Sequence, residues 1–513
     1  MDRYVHAAFG LLLVLLLSMG FTSVGPIHLA LLGVFIGFLA FNQYDYRTGG
    51  VDTSIFLLAQ FGLTLLLGFT VTWQALGAFE NSVFALVLLW LSLLGYLIVQ
   101  HDALSYVSQT FPYLLCFGVV FAVFLYHTLP VAPGGGLAVF AVSAGVLLGL
   151  NLFVFPRYVS PRLFLWTIAA FGGVLAFVGL PSAFDRSYTV WFLAVEPWEN
   201  TITPPMLDRE FSVVRSAFGN PNTFGIVVFA GTVAAFVEAI RSLERGAALG
   251  ALLMVGLLGV NLVGLYLSNS RASWLAAGVG VTIYAAYSLL DWRAVPVAAV
   301  GIAILVPAFL VGIYLSIVPI DPANRFELWR ASLSAIRENP TLAGQGIVST
   351  SDVIAPYVPD GIGQPSPHNS YLSIWIRTGL LGVAAYTLLI FGSILHGLAK
   401  ARTVDVAALA LACGFAVSQF FEAYTLYHTG PGSVIGALAF GYLIASVAEP
   451  DRFDAAASDA PTGDERRVEA PSLADLSGDR RPAGVDRSFE RGEGGRSARG
   501  GESTTDGGLS TRR

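Results

Sequence analysis

Apolar runs of about 16 to 24 residues recur every 20 to 30 residues from residue 7 to residue 448, and no other pattern so narrows what this chain can fold into. About 20 apolar residues carry an α-helix across roughly 30 Å of hydrocarbon, where every backbone N–H and C=O must be satisfied within the segment. Membrane β-strands alternate apolar and polar residues instead, so a barrel is excluded. A chain of 513 residues that is 55% hydrophobic and 12% charged, with mean hydropathy +0.69, has too little polar surface for a water-soluble fold. The prediction is an all-α, polytopic transmembrane helical bundle of 12–14 helices. Fourteen spans can be drawn, at about 7–22, 27–41, 54–73, 83–99, 110–129, 136–155, 163–180, 223–240, 247–267, 272–290, 295–318, 371–395, 404–421 and 432–448. The first is read as a helix and not a cleaved signal, because no small-residue cleavage site follows and a second span begins at once.

Charge asymmetry orients the bundle. Arg3, Arg47, Arg157, Arg162, Arg241, Arg245, Arg293, Lys400 and Arg402 fall in short loops that an even number of crossings places on one side. Positive residues gather on the cytoplasmic side, so both termini are expected to be cytoplasmic in a plasma (cell) membrane protein. Short loops on the other side, near Thr22, Trp73 to Ser82, Pro130 to Gly135 and Glu422 to Gly432, carry no Lys or Arg. Two long loops, 181–221 and 319–370, belong to this outer face. The chain then divides into N-terminal helices (1–180), a core with the two outer loops (181–448) and a tail (449–513). The tail is rich in Gly, Ser, Asp, Glu and Arg and is expected to be disordered. Cys116 and Cys413 lie within apolar runs and suggest neither a disulfide nor a metal framework.

Chemistry is expected in the outer loops. In 319–370 the apolar pattern breaks for Asn324-Arg325, Trp329-Arg330, Gly344-Gln345-Gly346 and His368-Asn369-Ser370. Charges near bilayer depth cost roughly 2.5–3.5 kcal/mol even on permissive scales, so they are rarely incidental. The stretch 325–338 predicts a surface helix with Phe326, Trp329, Leu333 and Ile336 on one face, opened by an Asn324/Glu327 capping box and stopped at Asn339-Pro340. Arg215 with Gly219-Asn220-Pro221-Asn222, Ser268-Asn269-Ser270-Arg271, and His368-Asn369-Ser370 each precede a helix running inward from the outer face. A helix N-terminus offers unpaired N–H groups and positive dipole, and arginine adds a planar fork for phosphate oxygens. Three such ends, with Arg215, Arg271 and Arg325, suit a phosphorylated ligand. Plainer readings stand beside this one. Arg271 can snorkel to headgroups, Arg215 and Arg330 can be solvated loop charges, Asn220 can be only a cap, and His368 can be a partly exposed structural side chain. Trp191, Trp198 and Trp329 can be interface anchors. The coincidence of these features on one face favours a site.

No phosphate-cradling loop, metal-ligand spacing or Gly-x-Ser-x-Gly elbow is present, so neither a cofactor nor a metal is expected. The order Arg325-Phe-Glu-Leu-Trp329, Asn339-Pro-Thr-Leu-Ala-Gly344-Gln-Gly346, His368-Asn-Ser-Tyr-Leu372 and Thr378-Gly-Leu-Leu-Gly382 resembles the O-antigen ligase and polymerase family of membrane glycosyltransferases. Arg215 to Asn222 and Ser268 to Arg271 are similar to its upstream segments. The resemblance covers Arg215 to Gly382 and implies a glycosyltransferase that uses a polyprenyl (undecaprenyl or dolichyl) phosphate- or diphosphate-linked glycan. The acceptor would be a glycan, glycolipid or protein, within membrane lipids and without nucleic acid. It implies catalytic roles for His368, Arg215, Arg271 and Arg325. Asn220, Asn222, Trp329, Arg330 and Asn369 are the substrate-binding candidates. The rival class is a transporter or lipid-glycan flippase, in which repeated halves and mid-membrane charges are expected; no repeat is evident.

Overall fold

The computed structural model describes residues 103–128, 145, 148–190, 193–204, 209–318, 324–346, 349–362, 365–424 and 430–450. The four spans expected between 7 and 99, and the tail beyond 450, lie outside the described residues, as does much of 136–155. Among the described residues, besides the short helices Phe155–Tyr158 and Thr350–Ile354, ten longer helices organise the fold: α1 (Ala103–Thr128), α2 (Pro161–Gly179), α3 (Pro221–Glu244), α4 (Ala248–Leu267), α5 (Arg271–Leu289), α6 (Ala294–Tyr314), α7 (Arg325–Glu338), α8 (Ser370–Ala399), α9 (Val406–Ser418) and α10 (Pro431–Ala448). Among the described residues, eight helices are long and apolar enough to cross a membrane, while α9 is apolar but shorter. The chain is a mostly helical, polytopic bundle.

Helix starts follow their local chemistry. Ser160 caps α2 by accepting from Leu163 N at 3.1 Å, with Pro161 in the first turn. Asn220 caps α3 through the Asn222 amide at 2.7 Å, again followed by proline. Asp405 caps α9 through Ala407 N at 2.9 Å. Helices α3, α9 and α10 are buried along most of their length, whereas α6 fully buries only Val295. Close approach rests on small residues, as expected where lipid supplies no hydrophobic drive between helices. Asn261 of α4 lies against Gly172 of α2 and Gly231 of α3, and its amide donates to Ala169 O at 3.0 Å.

One end of the bundle is an ionic staple. Glu238, fully buried, accepts from Trp166 Nε1 at 3.0 Å and Arg245 Nη2 at 3.1 Å, and Arg241 bridges it to Asp405 at 2.8 Å. Arg157 pairs with Glu449 at 3.0 Å. This is the end to which charge asymmetry assigns the cytoplasm. Each charge is paired, as low dielectric requires.

The outer elements depart from expectation in four ways. Loop 181–221 holds two antiparallel hairpins, β1 (Tyr188–Val190) with β2 (Leu193–Val195), and β3 (Pro197–Ile202) with β4 (Phe211–Val214). The capping box of α7 does not form: Asn324 has φ +58° and makes no side-chain cap, because an N-cap needs extended backbone to turn its side chain onto the first turn. Helix α7 also buries a different face, Leu328, Ala331, Ser332 and Ala335, and leaves Leu333 exposed. Its small residues admit α8 and the turn at Ile354 closely, displacing the aromatics to the flank. Tyr357 ties that turn to α7 by donating to Glu338 at 2.7 Å, a bond that raises the pKa of the phenol.

The fourth departure is in α8, read from sequence as an uninterrupted span. It breaks at Gly379, with φ +64° and ψ −163°. Segment 341–346 enters the break and replaces the missing helix hydrogen bonds. Gln345 N and Gly346 N donate to Ile376 O and Arg377 O, both at 2.9 Å, while Leu380 N and Leu381 N donate to Thr341 O at 3.2 Å and Leu342 O at 3.1 Å. His127 at the end of α1 closes the seam, its Nε2 2.7 Å from Ala343 O. The Gly344-Gln-Gly346 and Thr378-Gly379 motifs are two halves of one joint, which satisfies backbone that would otherwise be orphaned at membrane depth.

Candidate active site

Four helices begin at the end of the bundle opposite the ionic staple. Gly225 in the first turn of α3 packs on Ser270 and Ser273 at the start of α5, and Gly432 at the start of α10 packs on Ile226 of α3 and on Tyr424. Ser370, the first residue of α8, donates its hydroxyl to the Glu422 carbonyl at 2.7 Å and to the Tyr424 carbonyl. The N-termini of α3, α5, α8 and α10 therefore share one face, which adds their dipole-positive ends to whatever the side chains supply.

The side chains on this face form two groups. In the first, Arg325 donates to Glu422 Oε1 at 3.1 Å and to the Phe421 carbonyl, while His368 Nδ1 lies 4.0 Å from Glu422 Oε2. Glu422 is nearly buried, with 9% of its side chain exposed, whereas His368 is open at 38%. In the second, Arg215 pairs with Glu196 of the hairpin and lies over Trp198, its guanidinium carbon 5.5 Å from the ring centroid. Arg271 is the first residue of α5 and is exposed at the same end.

The remaining predicted residues separate into contacts and scaffold. Asn369 is buried and holds the fold: its Oδ1 caps α8 at Leu372 N, 3.0 Å, and its Nδ2 donates to Phe420 O at 3.1 Å. That buried amide ties α8 to the 420 segment beside His368. Trp329 packs against Phe326 and Phe421, and its indole N–H is buried without an acceptor among the described residues. Arg330 is exposed on α7, outside both groups. Asn220 is engaged as the α3 cap, and Asn222 is half-buried two residues beyond it, in the first turn.

Backbone strain concentrates here too. Ser216 (φ +51°), Asn269 (+50°), Asn324 (+58°) and His368 (+41°) are non-glycine residues in left-handed backbone, each in the approach to α3, α5, α7 or α8. Such residues cost on the order of 1–3 kcal/mol and persist where surrounding structure holds them, often at functional sites. Sequence reasoning missed Glu422, although it is the sole acid between Asp405 and Glu449 and stands at the edge of an apolar run, a position where a lone carboxylate signals function. It also missed Glu196, whose partner lies across a hairpin.

Residues 253–387 match the sequence model of a family described as O-antigen ligase. Comparison with curated proteins gave no match. The matched segment contains Arg271, Arg325, Trp329, Arg330, His368 and Asn369 together with the Gly344/Gly379 joint, while Arg215, Glu196 and Glu422 lie outside it. The chain is thus a multi-pass helical membrane protein whose residues 253–387 are similar to the O-antigen ligase family.

Proposed function

We propose that the chain is a membrane glycosyltransferase that transfers or polymerises an oligosaccharide from a polyprenyl phosphate or diphosphate carrier onto an acceptor hydroxyl at the outer face. The observation that carries this reading is the grouping of Arg325, Glu422 and an accessible His368 at the end of the bundle where four helices begin. The carrier phosphate lies against Arg271, Arg325 and Arg215. The acceptor oxygen attacks the anomeric carbon and gives its proton to His368. The bond from that carbon to the phosphate oxygen breaks, and its electron pair departs with the polyprenyl phosphate or diphosphate. Guanidinium groups held beside that oxygen favour the developing charge more in the transition state than in the ground state. One direct displacement inverts the anomeric carbon, and the mechanism assigned here uses no metal and no nucleotide.

Arg215→Ala and Arg271→Ala are each expected to lower kcat/KM for a polyprenyl-diphosphate disaccharide by about 10- to 100-fold, within the range for removing one charge-stabilising donor. The check is initial-rate measurement with purified protein in liposomes. Unchanged kcat/KM in both variants rejects the two arginines as phosphate ligands, whereas no transfer by the wild-type protein, with glycan crossing the bilayer at a rate set by the protein, contradicts transfer and favours transport.

A further inference from the structure

We propose that Glu422 is the positioning residue for His368, fixing the ring so that Nε2 faces the acceptor; this rests on the transferase reading above. Two observations and one argument from charge support it.

The first is that the distance between the two side chains is set by backbone. Segment 419–424 is laced to the start of α8 through Ser370 N to Gln419 O at 2.8 Å, Asn369 Nδ2 to Phe420 O at 3.1 Å, and the Ser370 hydroxyl to the carbonyls of Glu422 and Tyr424. His368 immediately precedes these anchors and is itself held at φ +41°. The backbones that carry the imidazole and the carboxylate therefore cannot drift apart without unlacing α8.

The second is division of labour within the carboxylate. Arg325 takes Oε1 at 3.1 Å, which leaves Oε2 facing His368 Nδ1 at 4.0 Å. A carboxylate on that side selects the tautomer with the proton on Nδ1 and presents the Nε2 lone pair as the base. Four ångströms exceeds a hydrogen bond, and contacts of this kind commonly tighten when substrate binds.

The third is charge balance during the step. When Nε2 receives the acceptor proton, the ring becomes a cation beside Arg325. The Glu422 carboxylate between them attracts both cations and so lowers the cost of the new charge, and no proton moves to it.

The test uses the full-length protein in liposomes, a fluorescent polyprenyl-diphosphate disaccharide as donor, and a second lipid-linked disaccharide and a core glycolipid as acceptors. Glu422→Gln keeps size and removes charge, and kcat is expected to fall about 10- to 100-fold with donor KM within about twofold. In a His368→Ala background the same substitution should cause no further loss, because groups that act as a unit are not additive. Glu422→Asp, which keeps the charge, should be faster than Glu422→Gln. The inference is overturned by a wild-type rate in Glu422→Gln, by losses that multiply in the double variant, or by Asp slower than Gln. Full activity in His368→Ala removes the base itself and so overturns the transferase assignment of His368. An inactive His368→Ala beside a fully active Glu422→Gln overturns only the role of Glu422.

Discussion

His368→Ala is expected to lower the rate of glycan transfer by about 10²- to 10⁴-fold, with donor KM changed by no more than a few-fold, in liposomes carrying purified protein. The prediction follows from what the imidazole touches. Its Nδ1 side faces a nearly buried carboxylate, its exposed side faces the open end of the bundle, and among the described residues no other histidine lies in the cluster of Arg325 and Glu422. His127 closes the seam at Ala343, and His396 meets Tyr113 at 2.9 Å. If proton transfer contributes to the transition state and not to donor binding, the loss belongs in kcat. A variant with the wild-type rate rejects the base.

Gly379→Ala is expected to destabilise the protein by roughly 2–6 kcal/mol, adding backbone strain to overpacking. At φ +64° and ψ −163° the backbone lies in a region that is essentially glycine-only. A Cβ there strikes the backbone of Leu342 and Gly344, and a Cβ at Gly344 strikes Arg377 and Gly379 in return. Neither neighbour can rotate away, since both are main chain. Opening the seam exposes the donors of Gln345, Gly346, Leu380 and Leu381 and the carbonyls that accept from them. The variant should melt earlier in detergent and lose transfer, because the joint sets α7, which carries Arg325, against α8, which follows His368. An unchanged melting temperature would falsify this account of the joint.

Much of the bundle is legible in sequence because membrane helices are written in runs of one property. Spans expected at 223–240, 247–267, 272–290 and 432–448 correspond to α3, α4, α5 and α10 within a few residues, and Asn220-Pro221 marks the start of α3 as local chemistry says it should. The break in α8 is not legible in this way. Hydropathy averages over Gly379, and only the distant Gly344-Gln-Gly346 turn explains why a helix can stop and resume there. The face of α7 was misread for a related reason: large aromatics dominate a helical pattern, yet Ala331, Ser332 and Ala335 face α8 because they are small.

The candidate site divides along the same line. His368, Arg325, Arg271 and Arg215 stand out because polar residues are scarce on this chain. Their partners do not, since Glu422 lies 54 residues from His368 and Glu196 belongs to a hairpin with no strong strand pattern. Asn369 illustrates the converse. It sits beside the histidine in sequence, and its amide is engaged by Leu372 N and Phe420 O.

The most direct measurement of the central claim follows both products of one reaction. Purified protein in liposomes receives a polyprenyl-diphosphate disaccharide and an acceptor, and mass spectrometry counts new glycosidic linkages and released polyprenyl diphosphate. The account predicts one of each per turnover, lost together when Arg325 or His368 is replaced by alanine. Movement of intact lipid-linked glycan between leaflets, with neither product formed, contradicts it.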